Sequence, residues 1–573
     1  MKLVDALTLA LKDLGIKFVF GVSGANIEHL HDAIYRLGDG KLTAILAKSE
    51  YAAAFMADGL ARAHNTLGVC CSTSGGGMTN LAVGIAESYA DKVPVLAIVG
   101  QIPTHLEGNG GFQDSSGKNN TLNALHFWES FTKYAAKIVE PNLFWNHLKT
   151  ALQQIFNPPL GPAVLLIPRN LFDSEVPERP NNFSILLSDY RTVFTPEKKT
   201  IKKLLGSINQ AKHILVIVGG GMRFTSSISS LKKLVDHFDL KVATTLADVN
   251  AFPHDDPHYL GMIGIAGHPH VHHYLKNSVD LIIAIGEEFS AMVKTPIEST
   301  LTTIKTIFIG TNAPAALNIH LMIECDIETL LAETLNLIQQ KSETLQPIAI
   351  PKKYYKPTII PVKHKKKSKG LLTSQALTIL QNYLTQTENI IFDAGNCVVS
   401  ALHYLQFPIG VKTIISLGMG GMGYAIPAGI GTQLGSSKNK STWVMTGDGG
   451  FLISGLEIHT AVEYQLPILF IVFNNNMHGM CVTRQQQYFS NRVTASTYGN
   501  LDVAKTVKGL GNKNRLWVAC ARNTSDLENH LTEYYQKFSG KPGVLEIKIN
   551  LDEVPPFLPF LSENPEIIGS VDV

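Results

Sequence analysis

Between Gly447 and Met480 the chain reads GDGGFLISGLEIHTAVEYQLPILFIVFNNNMHGM, and the two ends of this stretch carry its chemistry. Asp448 sits among Gly447, Gly449 and Gly450, whose missing side chains let backbone N–H groups approach an anion closely. A bare carboxylate repels phosphate, so Asp448 beside such a turn makes sense chiefly with a hard cation between the two. At the other end the apolar run PILFIVF stops in asparagines, so that Asn475 offers a carbonyl oxygen and the backbone of Met477 a second. An octahedral oxygen set of this kind, completed by diphosphate oxygens and water, suits Mg²⁺. Alone, the Asp-Gly pair reads as a helix cap and the asparagines as a turn; it is their pairing across a helix and a strand that points to a site.

Such residues must be delivered by strand ends, and the chain supplies strands in a regular grammar. An amphipathic LVDALTLALKDLG precedes KFVFGVSG, EYAAAFMADGLARAH precedes GVCCSTSGGG, and TNLAVGIAESYADK precedes PVLAIVG. Continuous apolar strands alternating with helices predict parallel sheets covered on both faces. The pattern returns around HILVIVGGGM and again around NIIFDAGN and STWVMTGDGG, so the expected fold is α/β, with three doubly wound parallel-sheet domains over residues 1–180, 190–345 and 371–573. The Pro- and Lys-rich stretch 346–370 reads as a linker. With 573 residues, 45% hydrophobic and 17% charged, the chain is long enough for several cores, and a formal charge of +2 gives no general attraction to nucleic acid or an anionic membrane. The N-terminus has no signal-peptide core, the apolar runs are too short to span a bilayer, and the six cysteines fit neither a disulfide framework nor a metal spacing. A cytoplasmic protein is expected.

The Gly-Asp-Gly to Asn-Asn stretch resembles the signature of thiamine diphosphate enzymes, and the resemblance extends over nearly the whole chain. It implies that Asp448, Asn475 and Met477 hold Mg²⁺. Gly395, Asn396 and Cys397 of FDAGNCV would touch the diphosphate together with Gly449, Gly450, His478, Gly479 and Met480. In GMGGMGYAIPAGIG, Gly420 would meet the cofactor and Met422 would wedge under the thiazolium ring, bending the cofactor so that its aminopyrimidine nitrogen nears the reactive C2. The segment LAKSEYAAAFMADGLAR supplies Glu50, expected to exchange a proton with the far pyrimidine nitrogen while apolar neighbours such as Phe55 and Met56 shield it. Ser23 and Gly24 of GVSGAN, and Thr73 and Asn80 of STSGGGMTN, would line the pyrimidine; Gly76 replaces the usual proline, which predicts a looser loop. Because the two sets lie in different domains, which in this family belong to different subunits, a homodimer or homotetramer is implied.

Within the family the chain is most similar to acetolactate synthases. VGQIPTHLEGNGGFQD puts Gln113 where that group has its active-site glutamine, with Phe112 beside it, so that Glu50, Gln113 and Met422 form the implied catalytic set. That resemblance implies decarboxylation of a 2-oxo acid such as pyruvate and transfer of the acyl unit to a second carbonyl compound. Two departures bear on it. Where the group has an arginine clasping FAD in its central domain, this chain has Glu287, Glu288 and Phe289, and two carboxylates repel a dinucleotide phosphate, so FAD is not expected. Where the group has a tryptophan selecting the second substrate, this chain has Arg484, which either pairs with an anionic acceptor or points to solvent. Four histidines, His268, His270, His272 and His273, are clustered in HPHVHHYL without a standard zinc spacing, and His105 and His126 lie near the substrate loop without an assignable role. Rival readings are a 2-oxo acid decarboxylase or 2-hydroxyacyl lyase, disfavoured by the lack of an adjacent histidine pair in the first domain, and a non-catalytic subunit, disfavoured because Glu50, Asp448 and Asn475 are all present. The C-terminal EVPPFLPFLSENPEIIGSVDV could cover the site or lie on the surface.

Overall fold

A computed structural model describes residues 1–224, 227–310, 317–341, 370–551 and 553–561. Its described strands form three six-stranded sheets in which every neighbouring pair is parallel. The first contains β1 (Phe18–Gly21), β2 (Thr43–Leu46), β3 (Gly68–Ser72), β4 (Val95–Gln101), β5 (Tyr134–Lys137) and β6 (Ala163–Pro168), in the order β2-β1-β3-β4-β6-β5. The second contains β7 (Ile214–Val218), β8 (Lys241–Thr244), β9 (Tyr259–Met262), β10 (Leu281–Ile285), β11 (Lys305–Ile309) and β12 (Ile319–Ile323), ordered β12-β11-β10-β7-β8-β9. The third contains β13 (Thr387–Phe392), β14 (Lys412–Ile415), β15 (Ser441–Gly447), β16 (Ile468–Asn474), β17 (Trp517–Ala521) and β18 (Gly543–Lys548), ordered β14-β13-β15-β16-β18-β17.

The expected three-fold α/β architecture is therefore present, and its cause is visible in the strands. β4, β7 and β16 are buried along their whole length, which only an apolar run flanked by helices on both faces sustains. The first and third sheets repeat one strand order. Each reverses direction between its first and third strands, opening a crevice at the C-terminal ends of β1 and β3 and again of β13 and β15. The middle sheet reverses between β7 and β10. The linker expected over 346–370 lies, apart from Gly370, outside the described residues. No described helix is long and apolar enough to cross a membrane.

The first and third units are joined by two helices in backbone contact. Ser49 caps the helix Glu50–His64, its hydroxyl accepting the Ala52 N–H at 3.4 Å, which makes Glu50 the first helical residue. This helix crosses Ala425–Gly435 so closely that a Cβ on Gly59 would strike the Ala428 carbonyl, and one on Gly431 the Met56 carbonyl. At the crossing Arg62, with no exposed side chain, binds Asp58 (Nε to Oδ1, 2.6 Å), Asp91 (Nη1 to Oδ2, 2.6 Å) and the Ile415 carbonyl (3.2 Å). Tyr424 Oη donates to Asp58 Oδ1 at 2.6 Å, and Ser88 Oγ to Asp58 Oδ2 at 2.8 Å. Replacing Arg62 by Leu would leave these buried carboxylates without their cation, which costs about 3–5 kcal/mol; thermal unfolding of the purified variant should show a fall of that order.

Histidines seal the joint between the middle and third units. His268 Nδ1 accepts the Met262 N–H at 2.9 Å, so its Nε2 carries the proton and donates to the His403 carbonyl at 3.0 Å. His254 accepts the Phe407 N–H at 3.3 Å and donates from Nε2 to the Val249 carbonyl at 2.8 Å. His403 reaches back from Nδ1 to the Ala266 carbonyl at 3.0 Å. Of the HPHVHHYL histidines, His268 joins this neutral seam, whereas His273 is exposed midway along the helix Pro269–Asn277. Among the described residues the three-ligand cluster is Asp236, Asp256 and His258, elsewhere, and the Lys232 ammonium already fills it. Burial lowers both His254 and His403 from 6.5 to about 4. Each therefore takes up a proton more readily unfolded than folded. Stability from this seam is fully present above pH 6.5 and is lost as pH falls from there toward 4, by up to about 1.4 kcal/mol per unit for each histidine. Denaturant titrations across that window should show the loss, and His403→Asn, which retains a donor near Nδ1 but does not titrate, should reduce it.

Candidate active site

The crevice between β13 and β15 opens into a cavity of ≈ 90 Å³, lined by every residue expected at the diphosphate and metal except Gly420. Asp448 follows β15 directly and starts a short helix, 2% exposed. Its Oδ1 accepts the Gly449 N–H at 3.0 Å, the amides of Asn475 and Asn476 approach the carboxylate, and Oδ2 has no partner. Burial raises the Asp448 carboxyl, with the surrounding donors opposing it. Asn396 Oδ1 and His478 Nδ1 are likewise buried without a partner. Buried polar atoms without partners are costly, so three of them around one cavity suit a cation and its polar ligand. Gly395, at φ +134, turns the chain in a conformation other residues avoid, and a Cβ there would meet nothing within 4 Å, leaving its amide edge open to an anion.

Of the three successive asparagines, the fold spends two on holding its own neighbouring segments. Asn474 donates to Glu546 Oε1 (2.6 Å) and the Leu501 carbonyl (2.8 Å), and Asn476, at φ +57, accepts the Leu501 N–H at 2.9 Å. Only Asn475 among them lines the cavity, next to Met477 and His478. Sequence reasoning missed Tyr498, whose hydroxyl lies against Asp448 without an ordinary hydrogen bond; burial and then that carboxylate push it up. It also gave no role to Asp393, two residues before Gly395 within FDAGNCV, and missed the lining by Thr373, Asn550 and Glu553. Glu553 accepts from the Thr373 backbone and hydroxyl, and Leu558 N–H donates to the Ile265 carbonyl at 2.8 Å. The tail is thus docked at the cavity rim as far as the description reaches; residues 562–573 lie outside it.

The crevice between β1 and β3 gathers the other set. Gly24 abuts Thr73, which abuts Gly77, where a Cβ would lie 3.0 Å from Glu50 Oε1. Asn80 Nδ2 donates to Glu50 Oε2 at 2.6 Å. Gln113, left-handed at φ +63, packs its side chain against Gly75, and Ser23 and Phe112 are exposed, the latter at 85%. Two expectations change. Phe55 and Met56 do not shield Glu50: five and six residues along a helix they leave its face, and Phe55 packs on Tyr424 with ring centroids 5.1 Å apart. Gly76 does not loosen the loop, because it is the first residue of the helix Gly76–Ala90. Arg484 is exposed on the helix Gly479–Tyr488, its guanidinium 3.7 Å from Cys481 Sγ, and does not line the cavity. His105 and His126 are exposed. Within one chain no residue of the Glu50 set lines the Asp448 cavity.

A larger cavity of ≈ 470 Å³ lies at the β7/β10 reversal. Glu287 and Glu288 line it, and so do Arg191, Arg223 and Lys92. Glu287 is occupied by the Thr245 hydroxyl (2.6 Å) and the Phe289 N–H (2.7 Å), and Glu288 pairs with Lys92. Its charge is therefore mixed and not simply acidic.

The N-terminal, central and C-terminal domains of thiamine pyrophosphate enzymes match residues 1–121, 201–336 and 393–547. A probable acetolactate synthase large subunit of Methanocaldococcus jannaschii is 30% identical, over 98% of this chain and 94% of that protein. The acetolactate synthase large subunit of Haemophilus influenzae is 29% identical over 95% and 93%. The crystal structure of benzoylformate decarboxylase from Polynucleobacter necessarius shares the fold, with a TM-score of 0.79 over 97% of this chain and all of that one at 18% identity. The strand order, the two crevices and these relationships agree: the chain belongs to the thiamine pyrophosphate enzymes and is an acetolactate synthase-like member of that family.

Proposed function

We propose that the protein is a thiamine diphosphate- and Mg²⁺-dependent carboligase that decarboxylates a 2-oxo acid, with pyruvate the first candidate, and transfers the acyl unit to a second carbonyl compound. The unpartnered Asp448 Oδ2 in the β13/β15 crevice carries this reading, because a buried carboxylate oxygen beside glycine amides suits a cation bridging to diphosphate. When bound, the cofactor supplies the electron sink that lets a 2-oxo acid lose CO₂. Asp448, Asn475 and the Met477 carbonyl would hold the metal, and the amides around Gly395 and Gly449 the diphosphate. Glu50 would hold a proton at the far pyrimidine nitrogen, with Asn80 orienting its carboxylate. Gln113, kept in a left-handed conformation beside the Gly75 turn, and Phe112 would exclude water, so that the acyl unit meets a carbonyl carbon before a proton.

The separation of the Glu50 set from the Asp448 cavity within one chain supports an active site shared by two copies, hence a homodimer or a dimer of dimers. Leu452, Ile453 and Leu456, on the segment following Asp448, are 53%, 47% and 66% exposed and offer a second copy an apolar face. Six free cysteines suit a reducing cytoplasm. The reaction as proposed needs no FAD, and a flavin spectrum in the purified protein would overturn that expectation.

Asp448→Ala should abolish Mg²⁺-dependent cofactor binding in calorimetry, whereas Glu50→Gln should bind cofactor within a few-fold of wild type and lose turnover by about 10²-fold or more. An NMR time course with thiamine diphosphate, Mg²⁺ and pyruvate should give acetolactate or acetoin; acetaldehyde alone would move the assignment to a decarboxylase. Since Arg484 stands exposed outside the cavity, Arg484→Trp is expected to leave the preference between 2-oxo acid and neutral aldehyde acceptors unchanged; a lowered kcat/KM for 2-oxo acid acceptors alone would show that Arg484 reaches an anionic acceptor.

A further inference from the structure

The residue placed to bend the cofactor stands on a segment with almost nothing of its own to hold it. Between β14 and the helix Ala425–Gly435 the chain reads Ser-Leu-Gly-Met-Gly-Gly-Met-Gly-Tyr, with Met422 38% exposed at the cavity wall. Four glycines in nine residues leave few side chains to pack and many backbone conformations to exclude. None of the described hydrogen bonds uses the amides of Gly420, Gly421 or Met422.

On either side of that gap the amides end on buried carboxylates. Upstream, Gly418 N–H donates to Glu87 Oε1 at 3.1 Å and Met419 N–H to Glu87 Oε2 at 2.9 Å, while Leu417 N–H reaches Asp91 Oδ2 at 3.2 Å. Downstream, Gly423 N–H donates to Asp393 Oδ1 at 2.9 Å and Ala425 N–H to Asp393 Oδ2 at 3.2 Å. Glu87 and Asp393 are 2% and 1% exposed. They come from different domains, Glu87 from the helix Gly76–Ala90 and Asp393 from the residue after β13. Each spreads two oxygens over two amides of the segment, the arrangement in which a charged acceptor adds direction as well as strength. Asp393 also accepts the Ala394 N–H (2.9 Å) and the Thr446 hydroxyl (3.2 Å), tying the segment to both strands that flank the metal crevice.

We propose that Glu87 and Asp393 are positioning residues for Met422: two buried carboxylates, one from each domain, grip the backbone on either side of it and set how far the side chain reaches under the cofactor ring. The inference rests on the function proposed above and extends it to residues that touch no substrate. A merely structural role for either carboxylate predicts lower stability alone. A positioning role predicts that the cofactor still binds, anchored by its metal and diphosphate, but sits in a poorer conformation.

Glu87→Gln and Asp393→Asn keep the shape and replace one acceptor oxygen with an NH₂ facing an N–H donor. Three measurements on the full chain separate the possibilities. In the wild-type protein without cofactor, amide exchange should show Gly418, Met419, Gly423 and Ala425 protected and Gly420 and Gly421 not, a reading that needs no variant and no activity. In each variant the amides of its own side should lose protection. With thiamine diphosphate and Mg²⁺ added, calorimetric affinity should stay within about threefold while exchange of the cofactor C2 proton for deuterium, followed by NMR, slows by at least about tenfold, as expected for a small misplacement of reacting groups. Wild-type protein that leaves C2 exchange at the rate of free cofactor overturns the functional reading and the wedge role with it. An active wild type whose variants exchange at its own rate overturns the clamp alone, as does a wild-type segment whose four amides are unprotected. If one variant does not fold, the other is sufficient, since each carboxylate holds a different side.

Discussion

The crossing of the helices Glu50–His64 and Ala425–Gly435 is the constraint on which the rest of the molecule depends. Glycines at the crossing bring the backbones into contact, and no larger residue fits at Gly59 or Gly431 without moving one helix. Glu50 begins the first helix and Met422 lies just before the second, so the crossing fixes the two proposed catalytic elements of one chain relative to each other. The buried Arg62 and its carboxylates make this joint polar as well as tight. A salt-bridged joint of this kind contributes less net stability than an apolar one would, but removing one partner is severe, which makes the geometry specific.

Each proposed half-site arises where a parallel sheet reverses its strand order. The first and third domains share the order, so both present loops at the same relative place, one loop set carrying Glu50, Thr73 and Asn80 and the other Asp448 and Asn475. The same grammar has been given opposite chemistry. The first crevice holds an acid oriented by an amide; the second holds an acid left short of partners. A cofactor with an aromatic head and an anionic tail suits one half-site at each end, and the lack of shared lining within a chain is consistent with the two halves meeting across a subunit contact.

The middle domain is joined differently. Its interface with the third domain relies on neutral imidazoles whose tautomers are set by backbone partners, as with His268 between the Met262 amide and the His403 carbonyl. Neutral histidines can pack together, and His268 and His403 stack at 4.8 Å, an arrangement that charged rings would oppose. Of the four clustered histidines, His268 is thus part of a domain seam.

The sequence by itself determined the fold class and most of one half-site. Strand identity was legible because doubly covered parallel strands must be apolar throughout, as in PILFIVF, and Asp448 and Asn475 were legible because their types and separation describe an oxygen-ligand site. The physical reason that Asn475 and not Asn474 or Asn476 turns inward lies in where Glu546 and Leu501 stand, which only the fold decides. Local pattern could not find Tyr498, which has no motif around it, or Glu87 and Asp393, whose meaning lies in amides far along the chain that they reach only after folding. Phe55 and Met56 leave Glu50 unshielded for a related reason: nearness in sequence is not nearness in space, and helical geometry turns them to another face. The tertiary structure alone decided which carboxylates face backbone amides, which face a guanidinium and which are left open, because burial and partner identity are properties of the packed molecule.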